Sequence, residues 1–389
     1  METVLELGGK PVKMWIPAEE FWASGDLITQ VQTLSQHPCL SSPVALMPDA
    51  HLGMGMPIGG VIGLARAVIP NAVGNDIGCG MLAAQLTCSD LGDDLEMLGR
   101  IRHDIKRAIP MGRHWHKERV HDLSTIPVHG GMIVEINRDK AWFQLGTLGG
   151  GNHFIEIQVD QYGNNWVMIH SGSRNVGMKV CTEYNKKAQV LNERYFSKVP
   201  RSWGLAFLTL DDDEGMEYLE EMDWCLEFAK LNRKAMLDAV MDCINVEVDA
   251  DVVEEYDVHH NYAAWENHRG KNLLIHRKGA TRARDGEVCV IPGNQSAGAH
   301  SFVGIGKGNA DSFDSCSHGA GRTMGRRQAK RELDYDAELE KMDGVLCDFT
   351  HDGLDEAGGA YKDIDEVMAR QADLVRPTVT LRGIAVVKA

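Results

Sequence analysis

The chain lacks a long apolar run, a C-x-x-C pair, a Pro- or Ser-rich linker and an internal repeat, and it is short of basic residues. No stretch approaches the roughly 20 apolar residues that a membrane-spanning helix needs. The opening "METVLELGGKPVKMWIP" has neither the basic start nor the apolar segment of a secretory leader. Nine cysteines scattered without a framework suit reduced thiols, so the expected setting is the cytoplasm. With 56 acidic against 40 basic residues, the formal charge of -16 excludes a broad electrostatic embrace of nucleic acid. A polyanion would have to meet a local patch, and two present themselves, "HRKGATRAR" and "GRTMGRRQAKRE".

What is there reads as an ordinary globular chain, 43% hydrophobic and 25% charged. Without a linker to divide it, residues 1–389 are expected to form a single domain. "SPVALMPD" reads as a strand ending at Asp49, "MLAAQLT" as a second and "NWVMIHSGS" as a third ending at His170. "LLIHRKGA", "EVCVIPG" and "TVTLRGIAVVK" add three more. Helical spacing of Leu95, Leu98, Ile101, Ile105 and Ala108 predicts a helix from about Asp93 to Ala108. Met216, Leu219, Met222, Leu226 and Ala229 predict a longer one from about Asp213 to Ile244. Further helices are expected near Gly319 to Leu333 and Ile364 to Leu374. Strands and helices mix irregularly, which points to α+β rather than to alternating βαβ units.

Chemistry concentrates in glycine-rich loops at strand ends, where side chains converge on a rigid scaffold. His51 in "MPDAHLGMG", His153 in "LGGGNHFIE", His170 in "IHSGSRN", His260 in "VHHNY" and His318 in "SCSHGAGR" share that context. In "VGNDIGCGML" the glycines predict a tight turn presenting Asp76 and Cys79 together. Asp76, Cys79, His153, His170 and His260 make a mixed O, S and N donor set that suits zinc, manganese or iron better than calcium or magnesium. Two ions about 3.5 to 4 Å apart, bridged by Cys79, would suit phosphoryl chemistry. Glycine runs in "GTLGGGNHF" and "SHGAGR" would let backbone N–H groups approach phosphate oxygens. Ser317 reads as an N-cap that places His318 at the positive end of a helix, and Asp49 is a possible partner for its imidazole.

These motifs resemble the RtcB-type RNA-splicing ligases almost end to end. The matching stretches are "PVKMW", "MPDAHLG", "VGNDIGCGM", "LGTLGGGNHFIEI", "HSGSRNVG", "HHNY", "RKGA", "SCSHGAGR", "AYKDID" and "VVKA", in that order. The resemblance implies a fold of mixed sheets and helices around a dinuclear metal cleft. It also implies GTP- and manganese-dependent joining of an RNA 3′-phosphate or 2′,3′-cyclic phosphate to a 5′-hydroxyl, with an archease-like activator as a possible partner. By analogy His318 is the nucleophile that becomes guanylylated, and Asp49 orients it. One manganese falls to Asp76, Cys79 and His153, the other to Cys79, His170 and His260.

Cofactor contacts implied in the same way are Asn152, His153, Phe154, Ile155, Glu156, His260, Asn261, Pro292, Gly293, Asn294, Gln295, Ser301, His318, Gly319, Ala320, Gly321 and Lys388. Arg174 and Arg322 are implied RNA or phosphate contacts, a task suited to guanidinium groups. The chain departs from the family in "NQSAGAHSF" after "IPG", and in Met54 where lysine is common. Those departures leave a metal-dependent RNA-end phosphoesterase, which opens cyclic phosphates without ligation, as the alternative activity. An RNA-end-binding protein without catalysis is a third reading, and His318 speaks against it.

Overall fold

The computed structural model describes residues 3–89, 91–128 and 132–389. Most of its strands fall into two large sheets. A six-stranded sheet runs Thr3–Leu5, Val12–Met14, Val44–His51, Ile58–Leu64, Lys271–Lys278, Asn261–His268. Among the described residues its one parallel pair is Val12–Met14 against Val44–His51. A seven-stranded, wholly antiparallel sheet runs Val252–His259, Gly80–Leu86, Asn165–Ser171, Phe154–Asp160, Val375–Val387, His300–Gly306, Val288–Ile291. The class is α+β.

Strand alternation gives the seven-stranded sheet two different faces. Leu82, Ala84 and Leu86 enter one apolar cluster with Ile155, Ile157, Val167 and Ile169. Met81 and Ala83 enter another with Trp166, Met168 and Val290. The first cluster is closed by the helix Leu95–Ala108 and by Met236, Leu237 and Val240 of the helix Asp213–Asn245. Asp94 caps the shorter helix, its Oδ1 accepting from the N–H of Glu96 at 3.0 Å and of Met97 at 2.9 Å. Leu98, Ile101 and Ile105 are its buried stripe, while Leu95 and Ala108 at the two ends are exposed. In the long helix Leu219, Met222 and Ala229 are buried, but Met216 in the first turn is 48% exposed.

Two helix expectations need correction. The segment from Gly319 does not enter a helix until Arg326, and that helix, Arg326–Glu332, has Gly325 at its N-cap. Ser317 ends a strand, Ser315–Ser317, paired with Ala280–Arg282. His318 therefore stands on an irregular loop rather than at a helix N-terminus. Glycines at 319, 321 and 325 and the backbone reversal at Gly321 (φ +73°) explain the delay. The later helix stops at Arg370, four residues short of Leu374. "LLIHRKGA" is likewise broken at Gly279 (φ +63°), between the strands Lys271–Lys278 and Ala280–Arg282.

Much of each basic patch is tied to partners within the fold. In the first, Arg277 is fully buried and bonds Glu266 through Nη1 at 2.6 Å and Nη2 at 3.0 Å. Arg282 is held by Glu287, and Lys278 by the Met54 and Asn71 carbonyls. In the second, Arg322, Arg326 and Lys330 face Asp352, Asp355 and Glu356. The acidic excess supplies these partners.

Burial pushes the Glu266 carboxyl up, but the His268 bond and the Arg277 charge outweigh it and hold the group at about 2, against an ordinary 4.5. The stability it contributes is complete above about pH 4.5 and is lost as pH falls toward about 2. Removing the carboxylate leaves Arg277 buried and unpaired. Glu266→Ala is therefore expected to cost about 3–5 kcal/mol in urea unfolding at neutral pH; an unchanged midpoint would contradict it.

Candidate active site

The residues singled out in the sequence sit where strands begin or end. Cys79 immediately precedes the strand Gly80–Leu86, and His153 the strand Phe154–Asp160. His170 is one residue from the end of Asn165–Ser171, opposite Phe154 in the ladder. His260 is the single residue between Val252–His259 and Asn261–His268, where the chain passes from one large sheet to the other. The Asp76–Cys79 turn closes with Cys79 N–H donating to the Asp76 carbonyl at 3.1 Å. Gly78 (φ +73°) packs so tightly on the long helix that an added Cβ would lie 3.0 Å from both Ala229 Cβ and the Cys225 carbonyl oxygen.

Cys79 Sγ lies 3.2 Å from His170 Nε2 and 3.4 Å from His153 Nε2. His170 Nε2 is 3.4 Å from His260 Nε2, and His153 Nε2 is 2.9 Å from Asp76 Oδ2. The Nδ1 atoms of His153 and His170 face the Leu148 and Asn152 carbonyls at 3.0 and 3.1 Å. Donating there, each imidazole turns an Nε2 lone pair inward, the usual arrangement behind a metal-bound histidine. Cys79, His153 and His170 are all buried, with ligand atoms within 4.8 Å of one another.

The electrostatics fit a cation. Burial drives His170 and His260 well below the ordinary imidazole range, so both are neutral at physiological pH. Burial and the Asp76 charge push the Cys79 thiol well up. Burial also raises Asp76, but His153, the Cys79 bond and Arg174 outweigh it and hold the carboxyl low. A carboxylate, a thiol and three imidazoles crowded together match the chemistry of a soft or borderline divalent ion. Asp76, Cys79, His153, His170 and His260 are the residues that could hold it.

The long helix fastens this cluster from behind with two adjacent, fully buried side chains. Arg233 donates to the Gly78 carbonyl at 3.0 Å and the Ser171 carbonyl at 2.8 Å, and pairs with Asp257 at 2.7 Å through both Nε and Nη2. Asn232 accepts from Gly146 and Thr147 N–H at 2.8 and 3.1 Å and donates to Ser171 Oγ at 3.2 Å.

His318 stands beside the cluster, its ring centroid 4.8 Å from that of His260. Asp49, fully buried, places Oδ2 2.6 Å from His318 Nδ1 and accepts the His318 backbone N–H at 3.2 Å. Nδ1 is thereby engaged, which leaves Nε2 as the free ring nitrogen. Gly321 makes this approach possible, since a Cβ there would come within 2.2 Å of the Asp49 carbonyl oxygen.

A cavity of about 280 Å³ opens over His318 and His170. Of the expected cofactor contacts it is lined by Asn152, Phe154, Glu156, Pro292, Gly293, Asn294, Gln295, Ser301, His318, Gly319, Ala320, Gly321 and Lys388, with Arg322 beside them. Ile155 is not among them. The alternation that turns Phe154 and Glu156 inward sends Ile155 into the apolar cluster behind the sheet. His153 and His260 belong to the thiol and imidazole cluster beside the cavity, and Asn261 is a tie rather than a wall. Its Nδ2 donates to the Asp76 carbonyl at 3.0 Å and its Oδ1 accepts Gly279 N–H at 2.8 Å. Burial lifts the Glu156 carboxyl to about 7 against the opposing influence of Gln158 and Lys388. Arg174 lines a second cavity, of about 550 Å³, on the other side of the cluster with Asp76, His153, Arg113 and Trp115.

Five cavity residues were given no site role by the sequence, Ile58, Arg326, Glu356, Tyr361 and Val386, and His51, one of the five loop histidines, joins them in the wall. Arg322, Arg326 and Lys388 all approach Glu356, and Arg322 Cζ lies 5.0 Å over the Tyr361 ring. Arg326 lay within a noted basic patch and Tyr361 within "AYKDID", so a signal existed for both; Glu356 carried none.

The fold and site thus define a class of protein that sets a buried thiol and imidazole cluster, suited to a divalent ion, beside a carboxylate-oriented histidine in a ligand-sized cavity. The sequence profile described as tRNA-splicing ligase RtcB matches residues 30–136 and 131–389. "RNA-splicing ligase RtcB" of Escherichia coli K12 is 38% identical over 97% of each chain. "tRNA-splicing ligase RtcB" of Archaeoglobus fulgidus is 31% identical, over 93% of this chain and 91% of its own. The chain belongs to the RtcB family.

Cys79→Ala removes the one donor of the set that approaches both His153 and His170, at 3.4 and 3.2 Å. Manganese titration followed by electron paramagnetic resonance is expected to show binding weakened at least tenfold, whereas Ile155→Val, behind the sheet, leaves it unchanged. Equal binding by all three proteins would exclude Cys79 as a ligand.

Proposed function

We propose that this chain is a GTP- and manganese-dependent RNA ligase that joins RNA 3′-phosphate or 2′,3′-cyclic phosphate ends to 5′-hydroxyl ends, in RNA repair or tRNA splicing in the cytoplasm. Residues 1–389 act as one ligase domain. The observation that carries the reading is the 2.6 Å contact of His318 Nδ1 with Asp49 Oδ2, at the wall of a cavity that also touches the metal-suited cluster. A binding protein has no need of a histidine with one nitrogen anchored and the other free.

In this mechanism Nε2 of His318 attacks the α-phosphorus of GTP. The bond from that phosphorus to the β-bridging oxygen breaks, pyrophosphate leaves, and Asp49 stabilises the charge developing on the imidazole. A 3′-phosphate oxygen of RNA then displaces the histidine, breaking the P–N bond and leaving a 3′-terminal pyrophosphate linkage to guanosine. A cyclic end is first hydrolysed, water adding to the phosphorus and the P–O2′ bond breaking to leave a 3′-phosphate and a free 2′-hydroxyl. Finally the 5′-hydroxyl attacks the RNA phosphorus and GMP departs. The sequence of steps has a chemical reason, because a phosphate monoester dianion resists attack until one oxygen becomes part of a better leaving group. Divalent ions at Asp76, Cys79, His153, His170 and His260 would supply Lewis-acid polarisation of phosphoryl oxygens.

The cavity supports the nucleotide assignment. Phe154 and Tyr361 offer apolar faces, Glu156 and Lys388 a carboxylate and an amine, and Arg322 and Arg326 positive charge for phosphate. Arg174 in the second cavity suits an RNA phosphate. An archease-like activator is a proposed partner.

Incubation with α-labelled GTP and manganese, followed by a denaturing gel, tests the proposal. The wild type is expected to carry a covalent label that His318→Ala abolishes and Asp49→Asn reduces at least a hundredfold in rate. A metal-loaded wild type that stays unlabelled even with archease, yet opens a 2′,3′-cyclic phosphate, would replace ligation by phosphoesterase activity.

A further inference from the structure

Behind the metal cluster, between the long helix and the corner of the two sheets, lies a cleft of about 390 Å³ that shares no lining residue with the cavity over His318 or the one around Arg174. Its walls include Met222 and Leu226 from the helix and Trp265, Thr281, Asp223 and His259. We propose that it binds a small aliphatic polyamine, with one ammonium group at Asp223 and Thr281 and its methylenes along Met222, Leu226 and Trp265.

The charges left over in the cleft select the sign of the ligand. Asp257 is matched by Arg233 and Glu287 by Arg282. His259 Nδ1 faces Arg233 Nη2 at 3.3 Å. Asp223 has no hydrogen-bond or ion-pair partner among the described residues. Partial enclosure, with Glu227 and Glu220 beside it, lifts its carboxyl to about 6, which marks a spot where a cation relieves repulsion.

A second observation is independent of charge. Thr281, 1% exposed, has a buried hydroxyl oxygen without a partner among the described residues, and it lines this cleft. A buried hydroxyl left unpaired costs free energy, and an ammonium N–H would satisfy its lone pair. Trp265 is 52% exposed beside it and presents an indole to a passing cation. A hard metal ion is the poorer occupant, because magnesium and calcium require several oxygens converging at close range, and here one carboxylate is free. An acidic rim also repels RNA, which sets this cleft apart from the substrate surfaces.

The occupant would touch the reverse side of the metal turn. Leu226 Cα lies 3.2 Å from where a Cβ on Gly78 would be, and His259 Nδ1 is 3.1 Å from the Gly78 carbonyl. Filling the cleft would therefore stiffen the support of Cys79 and His260.

Calorimetric titration of the manganese-loaded protein with spermidine tests the assignment by binding alone, without reference to ligation. One spermidine per chain is expected, weakened at least tenfold by Asp223→Asn and by Thr281→Val. Trp265→Leu, at a half-exposed position, should weaken it severalfold without threatening the fold, and Glu214→Gln outside the cleft should leave it unchanged. No heat with the wild type, or equal affinity in all variants, would overturn the proposal. So would displacement of spermidine by equimolar magnesium chloride, or tighter binding of an oligolysine peptide than of the free amine.

Discussion

Arg233 carries a positive charge into a region with no access to solvent, and the cluster is organised around that charge. Asp257 neutralises it, while the carbonyls of Gly78 and Ser171 accept its remaining donors. Those partners belong to the segments that bear Cys79, His170 and His260. A guanidinium can reach three segments at once because its five N–H groups lie in one rigid fork. Lysine could supply the charge but not the geometry. Removing the group would leave Asp257 and two carbonyls unmatched in the interior, so correct placement of the thiol and imidazoles is tied to the energy of the fold.

Much of the site was legible because the chemistry-bearing residues lie in short, glycine-flanked stretches. "NDIGC" announced a turn with its acid and thiol together, and in the fold Asp76 and Cys79 both meet His153. The six segments read as strands all contain strand residues, because alternating or continuous apolar runs leave them little choice. Ile155 shows where the same logic was not carried through. "NHFIE" was treated as a block, although a strand must turn every second residue to the opposite face.

Other features depend on contacts far apart in sequence. Arg233 sits in a helix whose periodicity says only that one face is buried, and nothing local distinguishes it from exposed Lys230 or half-buried Lys234. Glu356 acquires its role from Arg322, Arg326 and Lys388. The N-cap expected at Ser317 failed for a related reason. Ser317 is a good local candidate, but its N–H and hydroxyl are claimed by Gln371, with contacts of 2.8 and 2.6 Å, and its backbone is claimed by the strand at Ala280. Tertiary partners outbid the local signal.

The hairpin of Phe154–Asp160 with Asn165–Ser171 pairs Phe154 with His170 and Val159 with Asn165. His153 and His170 are thus set by a common count of residues from the turn around Gly163. Side chains along this ribbon can be exchanged one at a time, but a residue added to or deleted from either strand shifts the register unless a bulge absorbs it. Without a bulge, a single inserted codon would reverse every side chain beyond it, burying Glu156 in oil and delivering Ile155 to the cavity while moving one imidazole away from the other. A change of length is accordingly best accommodated at the tip of the hairpin, where it leaves the pairing of Phe154 with His170 in place.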